Sequence, residues 1–244
     1  MVSLDAATQN EFGQPVGASM NGWTPPVFPP HVTLTGRYCQ LEPFQAARHA
    51  AEFWEALGDD HSGSRWTYLS VGPFKGQKEF IEWCHVAETS RDPQYYAIVV
   101  EGKAVGMIAY MHIQPEHGVI ESGCVHFSPR LVRTRAATET LYLLLANAFA
   151  LGYRRFEWKC DSCNLPSRAA ASRLGFTYEG LFRQAIVYKG RTRDTTWFSI
   201  IDIDWNTGLK EAYERWLEPG NFDENGVQKL KFSALTAPFV HARS

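Results

Sequence analysis

The chain has 244 residues, and 45% of them are hydrophobic, so a single domain with a sizeable buried core is expected. Its 24 lysine and arginine residues against 26 aspartate and glutamate residues give a formal net charge of -2. This balance excludes a protein that binds nucleic acid through a general excess of positive charge, because nothing would neutralise the phosphates.

The five cysteines are Cys39, Cys84, Cys124, Cys160 and Cys163. Their odd number and scattered spacing do not form a disulfide framework, and the one Cys-x-x-Cys pair has no second pair beside it. We therefore expect reduced thiols and no metal site. Because no stretch approaches the ~20 apolar residues of a membrane helix and no signal-peptide pattern is visible, we expect a cytoplasmic protein with no membrane partner.

Residues 1–35 are rich in proline and glycine, which predicts an extended arm whose aromatic residues pack on the body. Apolar periodicity predicts a domain over residues 36–205, and residues 206–244 predict a C-terminal helix and tail packed on that domain. The predicted strands are 36–41, 95–100, 103–113, 119–127, 156–160, 177–188 and 195–204, and the predicted helices are 43–57, 77–89, 138–151, 167–174 and 207–217. This order predicts an α/β fold with a mixed sheet and helices on both faces.

Two segments between residues 127 and 176 lead from a predicted strand into a helix. Such junctions bind phosphates, because free backbone N–H groups and the helix dipole face the anion. The second junction carries Asn164-x-x-Ser167, and its helix ends in Leu174-Gly175-Phe176. Together with the element order, this pattern resembles the GNAT N-acetyltransferase superfamily, and its RimJ/RimL-like branch in particular, over residues 36–205.

The resemblance implies a mostly antiparallel sheet in which two neighbouring strands splay apart, with acetyl-CoA lying between them. The family motif Arg/Gln-x-x-Gly-x-Gly/Ala falls on Val132, Arg135 and Ala137, and only the alanine matches. Arg135 in place of glycine requires a different backbone or a side chain that turns away. The residues implied in coenzyme binding are Val125, Phe127, Arg133, Thr134, Arg135, Ala136, Ala137, Thr138, Asn164 and Ser167. The alternative for Asn164 and Ser167 is simple helix capping.

The catalytic base implied by the resemblance is Glu121, which lies on the strand 119–127. His126 and His112 are alternatives, since imidazole titrates near neutral pH. Strict alternation places Glu121 and His126 on opposite faces of the strand, so a bulge of the kind common in the family is needed to bring them together. Ala171 occupies the position of the family's tyrosine acid, so Ser167 or water would protonate the thiolate. Direct transfer needs no acyl-enzyme.

The acceptor site is predicted at Trp66, Tyr68, Tyr110 and His112, where the aromatic rings would form a wall around an amine. The alternative is that these aromatic residues belong to the ordinary core. The leading hypothesis is an acetyl-CoA-dependent N-acetyltransferase that acts on a small primary amine such as an amino acid, a polyamine or an amine-bearing toxin. The alternatives are acetylation of a protein N-terminus, a non-catalytic acyl-CoA-binding module, and a fold kept for protein interaction. The sequence leaves open whether the arm and tail cover the active site or a homodimer interface.

Overall fold

The computed structural model describes residues 8–58 and 63–241. Residues 1–7 of the predicted arm, 59–62, and 242–244 of the predicted tail lie outside the described residues. The strands are β1 (Thr8–Gln9), β2 (Pro15–Val16), β3 (Leu34–Thr35), β4 (Gln40–Pro43), β5 (Gln94–Val100), β6 (Lys103–Gln114), β7 (Val119–Phe127), β8 (Arg155–Asp161), β9 (Thr177–Tyr188) and β10 (Arg191–Ile201). The helices are α1 (Ala51–Leu57), α2 (Gln77–Ala87), α3 (Arg135–Ala150), α4 (Leu165–Arg173), α5 (Asp202–Asp204), α6 (Lys210–Leu217) and α7 (Phe232–Thr236).

Eight strands form one sheet in the order β3-β4-β5-β6-β7-β8-β10-β9. Every neighbouring pair is antiparallel except β7 and β8, which run parallel. The predicted fold class, a mixed and mostly antiparallel sheet with helices on both faces, is therefore confirmed. The helix predicted from residue 43 begins later, because Pro43 still pairs with Tyr96 as the last residue of β4.

The sheet separates two apolar cores. One face packs against α3, α4, α6 and α7, and includes Tyr110, Phe156 and Trp158. The other face packs against α1 and α2, and includes Met107 and Ala109. Because successive side chains of a strand point to opposite faces, each central strand contributes to both cores.

The arm and the C-terminal region both contact the domain. In the arm, the carbonyl of Val27 accepts a hydrogen bond from Tyr153, and that of Pro29 accepts one from Gln94. In the C-terminal region, Tyr213 of α6 donates to the carbonyl of Leu174 at 2.7 Å. The arm contacts lie at the start of β5 and β8, which is the end of the sheet away from the N-terminus of α3.

A buried carboxylate joins α3 to the turn between β3 and β4. Glu139 is 4% exposed and accepts hydrogen bonds from the backbone N–H groups of Arg37, Tyr38 and Cys39 at 2.6–2.9 Å. Bonds from N–H groups to a charged oxygen are stronger than neutral ones. This contact fixes the first turns of α3 against the edge of the sheet.

Glu139→Gln is expected to lower the free energy of unfolding by about 2 kcal/mol, because the amide nitrogen that replaces one carboxylate oxygen cannot accept from the turn. Urea denaturation followed by circular dichroism measures the change. Glu224→Gln, an exposed glutamate in the tail, is the matched control and should stay within about 0.5 kcal/mol of the wild type. Equal stability of the two variants would contradict the idea that Glu139 stabilises the contact between α3 and the β3–β4 turn.

Candidate active site

The parallel pair β7 and β8 separates part-way along its length. The two strands pair from Val119 and Arg155 as far as Ser122 and Trp158. Beyond that point β7 continues to Phe127 against β6, while β8 continues to Asp161 against β10. The result is the splayed pair that the family resemblance implied, with a gap open toward the N-termini of α3 and α4.

A bulge in β7 brings Glu121 and His126 to one face. Gly123 lies opposite Ala109 and His126 opposite Met107, so two residues of β7 face Ile108 alone. Cys124 within the bulge has a φ of 51°, which is rare for a residue other than glycine. The bulge that was needed to bring the two residues together is therefore present, and both candidate bases lie on the α1–α2 side of the sheet.

A second bulge, in β6, separates His112 from Tyr110. The register shifts between Met111 and Gln114, and His112 has a φ of 47°. The imidazole consequently contacts Glu121, whereas Tyr110 is fully buried on the α3 side and donates to the carbonyl of Leu144 at 2.6 Å. The prediction that Tyr110 forms part of an acceptor wall is wrong, because alternation does not hold through this bulge.

Glu121 belongs to a group of charged side chains that we call the charge cluster, formed by Glu121, His112, Lys159, Glu157 and Arg155. Oε2 of Glu121 lies 2.7 Å from Nδ1 of His112 and 2.8 Å from Nζ of Lys159. The same ammonium lies 2.8 Å from Oε2 of Glu157, whose other oxygen accepts from Arg155 at 2.7 Å. Opposite charges therefore alternate along this face, as buried ions require.

An aromatic layer and a loop lie over the same face. The ring of Trp66 contacts that of His126 with centroids 4.2 Å apart, and Trp66 is 5% exposed. Tyr68 donates to the carbonyl of Cys163 at 3.1 Å, and the ammonium of Lys189 donates to the carbonyl of Trp66 at 2.6 Å. These two contacts tie the loop that precedes α2 to the β8–α4 turn and to the β9–β10 hairpin.

The N-terminus of α3 begins at Arg135 rather than at residue 138, because Thr134 caps it. Oγ1 of Thr134 accepts from the N–H of Ala137 at 3.2 Å. Among the described residues, no acceptor is found for the N–H groups of Arg135 and Ala136, which are the groups that an α-helix leaves unpaired. This end of the helix is therefore able to bind an anion.

Arg135 fits at the position where the family motif has glycine, because its side chain turns away from the end of α3. Its guanidinium stacks over the rings of Tyr38 and Phe222, with centroid distances of 4.9 and 4.6 Å. The left-handed residue of the loop is instead Arg133, at φ 64°, which is exposed. The side chain of Thr138 is buried and accepts from Arg173, so it does not reach the exposed end of the helix.

The N-terminus of α4 lies on the other side of the gap. Oδ1 of Asn164 accepts from the N–H of Ser167 at 3.2 Å, so the capping interpretation holds for the oxygen of this amide. Oγ of Ser167 accepts from Nε1 of Trp158 at 3.0 Å. Ser167 therefore lies on the α3–α4 side of the sheet, across from Glu121 and His126.

Residues 39–177, more than half of the chain, match the family model described as the acetyltransferase (GNAT) domain. The chain belongs to the GNAT family. A solved GCN5-related N-acetyltransferase from Brucella melitensis is 42% identical, covers 89% of this chain and 100% of its own, and has a TM-score of 0.86. A probable GNAT acetyltransferase from Chromobacterium violaceum is 41% identical over 79% of this chain and 98% of its own, with a TM-score of 0.74.

More distant GNAT structures share the fold alone. An acetyltransferase from Salmonella typhimurium that modifies the N-terminal serine of ribosomal protein L7/L12 is 19% identical. It covers 69% of this chain and 98% of its own, with a TM-score of 0.60. No curated protein matches the sequence.

The GNAT sheet contains functional candidates that the sequence reasoning missed, namely Lys159, Glu157 and Arg155. A signal for them was present, because β8 alternates apolar Phe156 and Trp158 with charged residues. In a central strand such alternation indicates one polar face. In this GNAT protein that face carries the charge cluster next to the gap.

In residues 8–58 and 63–241, no helix is long and apolar enough to cross a membrane. Within the same residues, no group of three or more histidine, cysteine, aspartate and glutamate side chains is arranged to hold a metal ion.

Proposed function

We propose that this GNAT protein transfers the acetyl group of acetyl-CoA directly to a primary amine of a small molecule. The observation that carries the proposal is the gap between β7 and β8. It has the N-termini of α3 and α4 on one side and the carboxylate of Glu121 on the other. A thioester placed in such a gap is accessible to an amine from the opposite face of the sheet.

The residues around the gap fit acetyl-CoA, which supplies the activated acetyl group and the thiol that leaves. The unpaired N–H groups of Arg135 and Ala136 suit the pyrophosphate, and the small side chains of Ala136 and Ala137 leave room for it. The edge of β7 at Val125 and Phe127, which lies beyond its pairing with β8, suits the amides of the pantetheine. Asn164 offers its amide nitrogen, since only its oxygen caps α4.

Glu121 is suited to take the proton that the amine must lose. The contacts of Glu121 with His112 and with Lys159 both end on Oε2, and no described residue donates to Oε1. As the new C–N bond forms and the C–S bond breaks, Oε1 accepts the amine proton directly or through a water. The thiolate then takes a proton from water or from Ser167, so no acyl-enzyme is needed.

The loop that precedes α2 is held over the face of the sheet that carries Glu121, and this arrangement favours a small acceptor. The contacts from Lys189 to Trp66 and from Tyr68 to Cys163 bridge the face from two sides. A covered acceptor site would suit an amino acid, a polyamine or a similar amine, whereas a protein N-terminus needs an open groove. The Salmonella acetyltransferase modifies a protein N-terminus. Because it is only 19% identical to this chain, its substrate is not evidence for the acceptor of this chain.

The test is release of free thiol when the protein is mixed with acetyl-CoA and a panel of small amines, or with peptides that begin with serine. Turnover with a small amine is expected. Turnover with peptides alone would reject the acceptor class. Binding of CoA without thiol release over the whole panel would indicate a non-catalytic module, and the absence of any thermal shift would reject coenzyme binding, because a ligand at 100-fold its Kd stabilises by about 2.7 kcal/mol.

Asn164→Ala is expected to weaken CoA binding and to lower the free energy of unfolding by about 1 kcal/mol, because the residue caps α4. Asn164→Ser separates the two effects, since serine caps the helix but has no amide nitrogen. Calorimetric titration with CoA and urea denaturation measure both quantities. If Asn164→Ser binds CoA as tightly as the wild type, the residue is a cap and makes no contact with the coenzyme.

A further inference from the structure

The backbone around His112 is held in a conformation that directs its ring to Glu121. The residue lies at φ 47°, an uncommon value for a residue with a side chain. The carboxylate of Asp92 accepts from the N–H of His112 at 2.9 Å and from that of Ile113 at 3.1 Å. Asp92 therefore stabilises the bulge that takes the imidazole away from the Tyr110 face.

The imidazole connects a buried carboxylate to the solvent. The side chain of Glu121 is 4% exposed, and that of His112 is 54% exposed. Nδ1 of His112 lies 2.7 Å from Oε2 of Glu121, and the ammonium of Lys159 holds the same oxygen. His112 and Lys159 together thus fix the carboxylate with Oε1 directed to neither of them.

We infer that His112 is a positioning residue that orients Glu121 and that sets, through its own charge, how readily Glu121 accepts the amine proton. The inference rests on the proposed function. It assigns His112 a role that acts through Glu121, in place of the direct contact with the acceptor that the sequence predicted.

Three charged groups from three elements face His112: Glu121 on β7, Lys159 on β8, and Asp92 on the turn before β5. The hydrogen bond to Glu121 raises the pKa of His112 above its ordinary value of 6.5, and the charges of Glu121 and Asp92 act in the same direction. Partial burial and the ammonium of Lys159 act against this rise.

The sign of the effect on turnover follows from the charge of the ring. A protonated His112 places a positive charge 2.7 Å from Oε2 of Glu121, and this charge opposes the transfer of a proton to that carboxylate. When the pH rises through the pKa of His112, the ring loses its charge while Nδ1–H can still donate to Oε2. Orientation is kept, and Glu121 becomes the stronger base, so turnover rises with pH.

The experiment compares the pH dependence of kcat for the wild type, His112→Gln and His117→Gln with one small amine. Glutamine can donate to Oε2 but does not titrate, and His117 is an exposed histidine in the turn between β6 and β7. On top of the dependence that comes from ionisation of the amine, the wild type and His117→Gln are expected to show a step of about tenfold in kcat, with a midpoint above 6.5, from a lower plateau where His112 is protonated to a higher plateau where it is neutral. His112→Gln should lack this step and show only the dependence that comes from the amine.

A second readout is independent of turnover. Titration of the histidine rings by NMR should give a lower pKa for His112 in Glu121→Gln than in the wild type, because the largest cause of the rise is removed. An active wild type whose pH profile is unchanged by His112→Gln would overturn this inference alone. A wild type that releases no thiol with any amine would overturn the proposed function, and the inference with it.

Discussion

Replacing Glu121 by glutamine is expected to lower kcat about 10²- to 10⁴-fold, which is the contribution of a positioned general base. The amide keeps the size of the side chain but accepts a proton far less readily. The Kd for CoA should change by less than about twofold, because Glu121 lies across the sheet from the N-termini of α3 and α4. Thiol release measures kcat, and calorimetric titration measures binding.

Glu157→Gln is the matched control for this variant. Glu157 is buried, and like Glu121 it bonds to the ammonium of Lys159 at 2.8 Å. Removing its charge disturbs the charge cluster to a similar degree but leaves Oε1 of Glu121 in place. A loss of activity that is equal in both variants would mean that the cluster matters as a whole, and it would remove the assignment of Glu121 as the base.

The sequence was sufficient to predict elements whose pattern is local. The limits predicted for β7 and β9 match the structure, since each strand is bounded by turn residues. The start of α3 was predicted three residues late. The apolar periodicity begins only at Thr138, whereas the helix is nucleated by the cap at Thr134.

The geometry of the site depends on contacts that are distant in sequence, and periodicity cannot predict them. His112 shares a face with Glu121 because a bulge, held by Asp92 from another strand connection, breaks the alternation. Arg135 fits where glycine is usual because the rings of Tyr38 and Phe222 receive its guanidinium. Neither partner lies near its target in the chain.

Lys159→Met is expected to lower the free energy of unfolding at pH 8 by about 3 to 5 kcal/mol, because it leaves two buried carboxylates without the ammonium between them. The side chains of Glu121 and Glu157 are 4% and 8% exposed, so water cannot replace that charge. The contact of the ammonium with the ring of Trp197, at 3.9 Å, is lost as well. Urea denaturation at pH 8 gives the size of the loss.

The loss should shrink when the same measurement is made at pH 5.5. The hydrogen bond to Glu121 raises the pKa of His112 above its ordinary value, so a protonated His112 at pH 5.5 supplies a positive charge beside the carboxylate that has lost Lys159, and stability rises as the pH falls. The control is Lys210→Met, whose ion pair with Glu214 is exposed and should contribute about 0.5 kcal/mol at either pH. A deficit in Lys159→Met that is as small as the control's, or that does not depend on pH, would mean that the carboxylates are neutralised by something other than Lys159.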